Sequence, residues 1–492
     1  MPENHEISPE ALYTACDPDS LGFATTDGLS DLDPALIHPR AVAAIHLGLE
    51  MPHKGYSVFV LGESGSGRHA MVHRLLEDES HKGPPPADWC YVNDFANPAR
   101  ARLLQLPCGR GLQLRNDMQR FAGEISAAIA AAFDSEQYRE RVGSLQEEEK
   151  HREEAALRQL GDDSRKTGVA LLRTPQGFVF APMKDAEETY SHEEFVELPE
   201  ERQAELGKQV SACYEKLHKL MNEFPRWRRD VQGVIKQVGS EALRLAVGHL
   251  IEEIKPGYGD LPDVTGYLDA VMRDIIESGK SLHESTKSDE ESETTFFSGT
   301  ISVQRYLVNL LVENPAGGAR PIVYEDNPTL QNLIGRIEHH VHMGTLFSNF
   351  TLIRAGALHR ANGGFLILDA RKVLSQPYAW EGLKRALQSG EIRIESLADL
   401  VGFSSTVQLE PEPVPLDVKV VLIGERIIYY LLAELDPDFL SLFKINADLE
   451  SEIDRTPEGT AQYARLIATL ARRDALRPLS APAVARIIDH AA

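Results

Sequence analysis

Two kinds of hydrophobic patterning divide this chain. Residues 56–61, 364–368 and 418–423 are compact apolar runs rich in Val, Ile, Leu and Phe. Runs of this kind predict strands buried on both faces of a sheet. Residues 89–92, 306–312 and 350–353 are strand-like as well. Residues 41–50 place Val42, Ile45 and Leu49 along one helical face, and 70–77 and 380–388 also predict helices. Strands alternating with helices predict an α/β fold built on a parallel sheet.

The middle of the chain keeps a different rhythm. Met118, Phe121, Ile125, Ala128 and Ala132 recur at three-four spacing, and so do Leu206, Val210, Cys213, Leu217, Leu220 and Phe224. Two such stretches, the first running on into the charged residues 147–154, predict a coiled-coil arm. Between them, 169–183 holds two apolar runs around Pro175, Gln176 and Gly177, which predicts a β-hairpin at the arm's tip. Ordinary helix packing is the alternative to a projecting arm. A further helix is expected over 231–254. The polar stretch 278–295 predicts an exposed linker. Residues 456–492 predict a helix, a proline-containing break and a second helix. The expected organisation is 1–117 as N-terminal segment and first half of an α/β core, 118–290 as helical insertion, 291–450 as second half of the core, and 451–492 as helical lid.

Composition narrows the function. Among 492 residues, 51 are Lys or Arg and 75 are Asp or Glu, a net charge of −24. Such a surface repels nucleic acid and anionic membrane, so neither is an expected partner. Cys16, Cys90, Cys108 and Cys213 are scattered, without metal-ligand or disulfide spacing, which suits a reducing compartment. Residues 1–10 lack the basic-then-apolar pattern of a signal peptide. No uncharged run approaches the roughly 20 residues that span a bilayer. The expectation is a soluble cytoplasmic protein.

Candidate chemistry begins at Gly62, Glu63, Ser64, Gly65, Ser66, Gly67, Arg68 and His69, which follow a predicted strand and open a predicted helix. A glycine-rich turn there aims backbone N–H groups at a phosphate, and the helix N-terminus adds partial positive charge. Glycines 62 and 67 fit the spacing G-x-x-x-x-G-K-[ST]. Arg68 stands where Lys reaches the phosphates, and His69 where a hydroxyl ligates Mg²⁺. Arginine grips phosphate bidentately, whereas imidazole is a poor Mg²⁺ ligand. The alternative is a glycine turn without a ligand. Asp369 ends the apolar run 364–368, where an acid would hold Mg²⁺. Ala370 follows it, and a methyl group does no acid or base work. Glu338, His339, His340 and His342 read as a solvated or capping stretch rather than a metal site.

Several blocks together resemble the AAA+ part of Lon-like proteases of the helical-insert branch. They are residues 59–68, Asn327-Pro328-Thr329, 353–371 (Ile-Arg-Ala-Gly-Ala-Leu-His-Arg-Ala-Asn-Gly-Gly-Phe-Leu-Ile-Leu-Asp-Ala-Arg), 380–387 and 390–395. The resemblance implies an AAA+ parallel sheet with a helical insertion and an all-α lid. It implies ATP or ADP with Mg²⁺ at residues 62–69 and Asp369, a ring of copies, hexameric in number, and unfolded or tagged protein substrates. It places a γ-phosphate sensor strand at 418–425, with Glu425 where a polar amide is commoner, and a cationic finger toward a neighbouring subunit at Lys444. The apolar tip Leu400-Val401-Gly402-Phe403 of the hairpin 391–407, and Phe347, would grip polypeptide in a central pore; the alternative for both aromatics is a core position. Such proteases cut with a Ser-Lys pair in a further domain, and no loop for it occurs in these residues. Either the chain is truncated or the protein has lost that domain, and a lid that ends within a helix favours truncation. The implied function is the motor of an ATP-dependent serine endopeptidase. The alternative is a non-hydrolysing AAA+ scaffold or adaptor.

Overall fold

In the computed structural model the described residues are 13–63, 65–97, 99–175, 177–185, 188–288, 303–315, 317–342, 345–395 and 409–492. The apolar runs form β1 (Val58–Leu61), β3 (Phe365–Asp369) and β4 (Lys419–Gly424), joined by β2 (Ile322–Glu325) and β5 (Ile445–Asp448). Their order is β5-β1-β4-β3-β2, and every neighbouring pair is parallel. This is the expected α/β architecture. β1 and β4 are buried almost throughout because both faces are covered. On one face, Ile45 and Leu49 of α1 (Pro39–Glu50) and Val72 and Leu76 of α2 (Arg68–Ser80) pack on Val58, Val60, Ile367 and Val421. On the other, Phe59 meets Tyr429 and Phe439 edge to face, with ring centres 5.4 and 5.8 Å apart. The edge strands β2 and β5 carry Tyr-Glu and Asn-Ala-Asp, so neither shows an apolar run.

A second sheet runs Glu410–Pro411, Arg100–Leu106, Asp88–Asn93, Asn309–Val312. The strand expected at 89–92 therefore belongs here, antiparallel to its neighbours, and not to the parallel sheet. Asp88 is fully buried and accepts N–H bonds from Gly111 at 2.9 Å and Asn314 at 2.7 Å. Two expected strands are corrected. Residues 303–306 form a 3₁₀ turn before Asn309–Val312, and Phe350–Leu352 a 3₁₀ turn before the two-residue strand Ile353–Arg354. The histidine stretch is also corrected: His340–His342 pairs with Thr345–Phe347 as a short antiparallel ribbon. The side chain of Phe347 and the tip containing Leu400, Val401, Gly402 and Phe403 lie outside the described residues.

The structure separates into two units, Met1–Asn116 with Val308–Ala492, and Asp117–Leu307. In the second, Ser135 caps the helix Glu136–Lys166 by accepting from Tyr138 N, so the helix does not run on from the preceding one (Arg110–Asp134) as expected. The stretches around 206–224 and 231–254 are one helix, Glu200–Ile254, with Pro225 inside it; its 55 residues span about 80 Å. It pairs antiparallel with Glu136–Lys166: Arg228 meets Glu153, while Cys213 and Leu217 share a core with Leu157 and Leu160. The hairpin strands Val169–Thr174 and Gly177–Pro182 seal that core with Val169 and Phe180. The expected linker at 278 is a helix as far as residue 288, because Pro262–Ser288 buries Val264, Leu268, Val271 and Ile275; residues 289–302 lie outside the described set. Among the described residues no helix is long and apolar enough to cross a membrane.

The terminal helices α5 (Pro457–Arg473) and α6 (Ala481–Ala491) are joined by the N-terminal segment, which the apolar pattern did not reveal. Cys16, Leu21, Phe23 and Leu29 pack on Ala464, Ile467, Val484 and Ile488. Thr26 N donates to Leu479 O at 2.9 Å, and Leu32 N to Thr469 Oγ1 at 2.8 Å.

Backbone crowding fixes the start of β3. A β-carbon on Gly364 would lie 2.2 Å from Pro321 O, whereas one on Gly123 meets nothing within 4 Å. Gly364→Ala is expected to destabilise the fold by about 1–3 kcal/mol or more, while Gly123→Ala, in an exposed helix, stabilises it by up to about 1 kcal/mol; chemical denaturation reads both. His359 is wholly buried, accepts from Gly356 N through Nδ1, and burial pulls its pKa down to about 3. The unfolded chain takes up this proton below its ordinary value and the folded chain does not, so stability falls as pH drops. Between pH ~7.5 and ~5.5 this histidine removes about 1.4 kcal/mol, a slope that His359→Gln abolishes in urea denaturation at the two pH values.

Candidate functional site

The loop 62–67 leaves the C-terminal end of β1, between β5 and β4, and opens α2. This is the end of a parallel sheet where ligands bind. Gly65 and Gly67 hold φ of 87° and 77°, in the left-handed region that favours glycine. A β-carbon on Gly62 would sit 3.1 Å from both Arg68 Cδ and Ser66 Oγ, so the turn closes on itself there. The first bond of α2 runs from Met71 N to Gly67 O, at 3.0 Å. The N–H groups before it stand at the positive end of the helix, the arrangement that receives a phosphate. Ser66 Oγ is buried within the turn and has no hydrogen-bond partner. Ser64 lies outside the described residues, and Glu63 is exposed.

Arg68 does not extend into solvent. Its Nη1 donates to Gly424 O at the end of β4. Burial pulls its pKa down, opposed by the carboxylates of Asp369 and Glu425. The guanidinium thus lies across the ends of β4 and β3. His69 presents its ring edge-on to Tyr324, with centres 5.7 Å apart. Burial lowers its pKa, Asp369 opposes and Arg68 and Lys372 add to the lowering, which keeps the imidazole neutral at pH 7. Asp369 caps the helix α3 (Ala370–Ser375), accepting from Lys372 N at 3.0 Å. Ala370 is fully buried, and a β-carbon on Gly424 would come within 3.0 Å of its methyl. No volume is left at 370 for an acid beside the attacking water.

Further charges gather at this edge. Arg371 faces Glu425 at 3.5 Å. Arg426, the first residue of helix α4 (Arg426–Leu435), bonds Asp448 at 2.9 Å and Leu449 O at 2.5 Å. Leu449 N in turn donates to Leu61 O at 2.9 Å, so the connector toward α5 departs beside Gly62. Neither Arg371 nor Arg426 was singled out from the sequence, although each basic residue directly follows a strand-ending segment. The structure brings together Gly62, Glu63, Gly65, Ser66, Gly67, Arg68, His69 and Asp369. It does not bring Lys444 to them: that residue precedes β5, at the opposite end of the sheet, with its Nζ 4.9 Å over the Tyr56 ring and its N–H on Gly55 O.

The residues present do not fit Mg²⁺. That ion demands hard oxygen donors in octahedral geometry. The site offers Asp369, one oxygen of which caps α3, Glu425 paired with Arg371, an imidazole in place of a hydroxyl, and a buried methyl in place of an acid after Asp369. Among the described residues no group of three or more His, Cys, Asp or Glu is placed to hold a metal ion. Glu338 is engaged by Arg336 and Arg354 at 3.0 and 2.8 Å.

Two family models match parts of the chain. Residues 318–450 match the family described as "LonB-like, AAA domain", and residues 88–121 match "Lon-like LonC helical domain". A curated protein of Escherichia coli (strain K12), "Putative Lon protease homolog", is 30% identical over 149 residues, which is 30% of this chain and 24% of the relative. The match thus spans about a quarter of that protein's length. A crystal structure of NtrX from Brucella abortus shares 19% identity over 31% of this chain and 32% of its own, with a TM-score of 0.20, too slight a likeness to bear on the fold. The two family matches and the parallel sheet with its glycine loop agree in supporting a Lon-like AAA+ protein.

Proposed function

We propose that this chain is the nucleotide-holding AAA+ module of a Lon-type serine protease. It binds ATP or ADP at Gly62, Gly65, Ser66, Gly67, Arg68 and His69, assembles with copies of itself into a ring, probed first as a hexamer, and presents unfolded or tagged protein to a protease domain. The observation that carries this reading is the strand–glycine loop–helix unit at the C-terminal edge of the parallel sheet, with Arg68 bonded to the end of β4 and Asp369 at the end of the neighbouring β3. Lys444, at the opposite end of the sheet, suits a cation that reaches a neighbouring copy's nucleotide.

A second reading, a non-hydrolysing scaffold or adaptor, is favoured by one specific observation. Ala370 is buried where the acid that polarises water belongs, and Gly424 and Phe59 close the space around it. Binding without cleavage is common ground between the two readings. They separate on whether nucleotide occupancy alters protein handling in the full-length protein.

Calorimetric titration in Mg²⁺ buffer is expected to give saturable binding of ATP and ADP, with phosphate release near background. Arg68→Ala is expected to weaken binding at least ~10-fold, the loss of about 1.4 kcal/mol or more that a charge-assisted bond to phosphate supplies. Nucleotide at about 100 times its Kd should stabilise the fold by about 2.7 kcal/mol. Absence of heat and of any thermal shift at millimolar nucleotide removes the nucleotide-holding reading. Phosphate release at ordinary AAA+ rates removes the scaffold reading.

A further inference from the structure

The edge of the sheet beside the loop carries cations and carboxylates together. A divalent ion does two things for a polyphosphate: it neutralises charge and fixes the orientation of the oxygens. The hydroxyl that would ligate such an ion is replaced by His69; of the cations, Arg371 pairs with Glu425, Arg426 with Asp448 and Lys372 with Asp326, which leaves Arg68, bonded to a carbonyl, as the cation offered to a phosphate. Arg68 lies over the ends of β3 and β4, within electrostatic range of Asp369 and Glu425. The bond to Gly424 O takes one of its five N–H donors, so the planar fork retains a bidentate face for phosphate. Arg371 and Lys372 open α3 directly after Asp369, and Arg426 opens α4 beside the loop. His69, packed against Tyr324, adds no negative charge that would call for a metal.

Resting on the reading that this loop holds a nucleotide, we propose that the site binds the nucleoside polyphosphate as its metal-free anion, with the Arg68 guanidinium in the place of the divalent ion. Three features are explained together. A guanidinium delivers fixed positive charge and two parallel N–H donors, so it both neutralises and orients. A neutral imidazole at 69 costs nothing when no metal has to be ligated. Asp369 is free to serve as a helix cap because it is not a metal carrier. The arrangement favours retention over turnover, since no ion is present to leave with the product.

The test is calorimetric titration of the whole chain with ATP at constant ionic strength, once in excess Mg²⁺ and once in excess EDTA. Constant ionic strength matters because charge–charge attraction at this edge is screened by salt. The expected result is a Kd that agrees within about threefold between the two conditions. Arg68→Gln should weaken binding in EDTA by ~10-fold or more and in Mg²⁺ by less. His69→Thr, which restores a hydroxyl, should bind more tightly in Mg²⁺ than in EDTA. Wild-type binding that needs Mg²⁺, with a Kd ~30-fold or more weaker in EDTA, overturns this inference and leaves the nucleotide site standing. An unchanged Kd for Arg68→Gln in EDTA also overturns it. No binding in either condition overturns the nucleotide reading itself, and this inference with it.

Discussion

The glycine loop of the candidate site is held in place by the double backbone pairing of β1. Its residues Val58, Phe59, Val60 and Leu61 bond to β4 on one side and β5 on the other. That pairing leaves β1 no freedom to slide, because a slip of one residue would turn Phe59 from its aromatic cluster into the aliphatic face. The loop at its end therefore starts from a fixed point. The ends of β4 and β5 arrive at the same level, bringing Gly424 to Arg68 and Leu449 to Gly62. The glycines then bend the chain, and the helix dipole of α2 is aimed as a consequence.

What was legible in the sequence follows from what each element has to bury. β1, β3 and β4 are central strands, so both faces carry apolar side chains and the runs stand out. β2 and β5 are edges, and their polar residues hide them. Helix continuity was misjudged in both directions. Ser135 breaks what the three-four spacing of Met118 to Ala132 suggested was continuous, because one capping oxygen outweighs the rhythm. Pro225 does not break the Glu200–Ile254 helix, because packing on both sides of it holds the helix together. The polar stretch from 278 reads as a linker, yet Tyr267, Val271 and Ile275 carry its helix past that point. At the site, the loop and Asp369 could be found from spacing alone. The fold of Arg68 back onto Gly424 could not, since it depends on strand ends that meet only in three dimensions.

The chemistry of the site is one of retention. Water-splitting by such a fold needs a positioned acid and an ordered metal, and here the corresponding places hold a buried methyl and a ring packed on tyrosine. Both substitutions are compensated locally. Ala370 fills space against Gly424 that a longer side chain would have to open, and His69 finds an aromatic partner. Ala370 is a buried, well-packed position, so a longer side chain there would meet steric resistance, whereas His69 is exposed and a smaller residue would not.

The clasp between residues 13–33 and the terminal helices has a mechanical consequence. Because Leu21, Phe23 and Leu29 complete the core around Ile467 and Val484, the helical lid is assembled from both ends of the described chain. It is moored to the sheet by two tethers, one entering α1 and the other leaving β5 beside Gly62. A body hung from two points swings about the line joining them and resists twisting about any other axis. A displacement imposed at Gly62 would therefore reach α1 through the N-terminal tether as well as the terminal helices through Leu449.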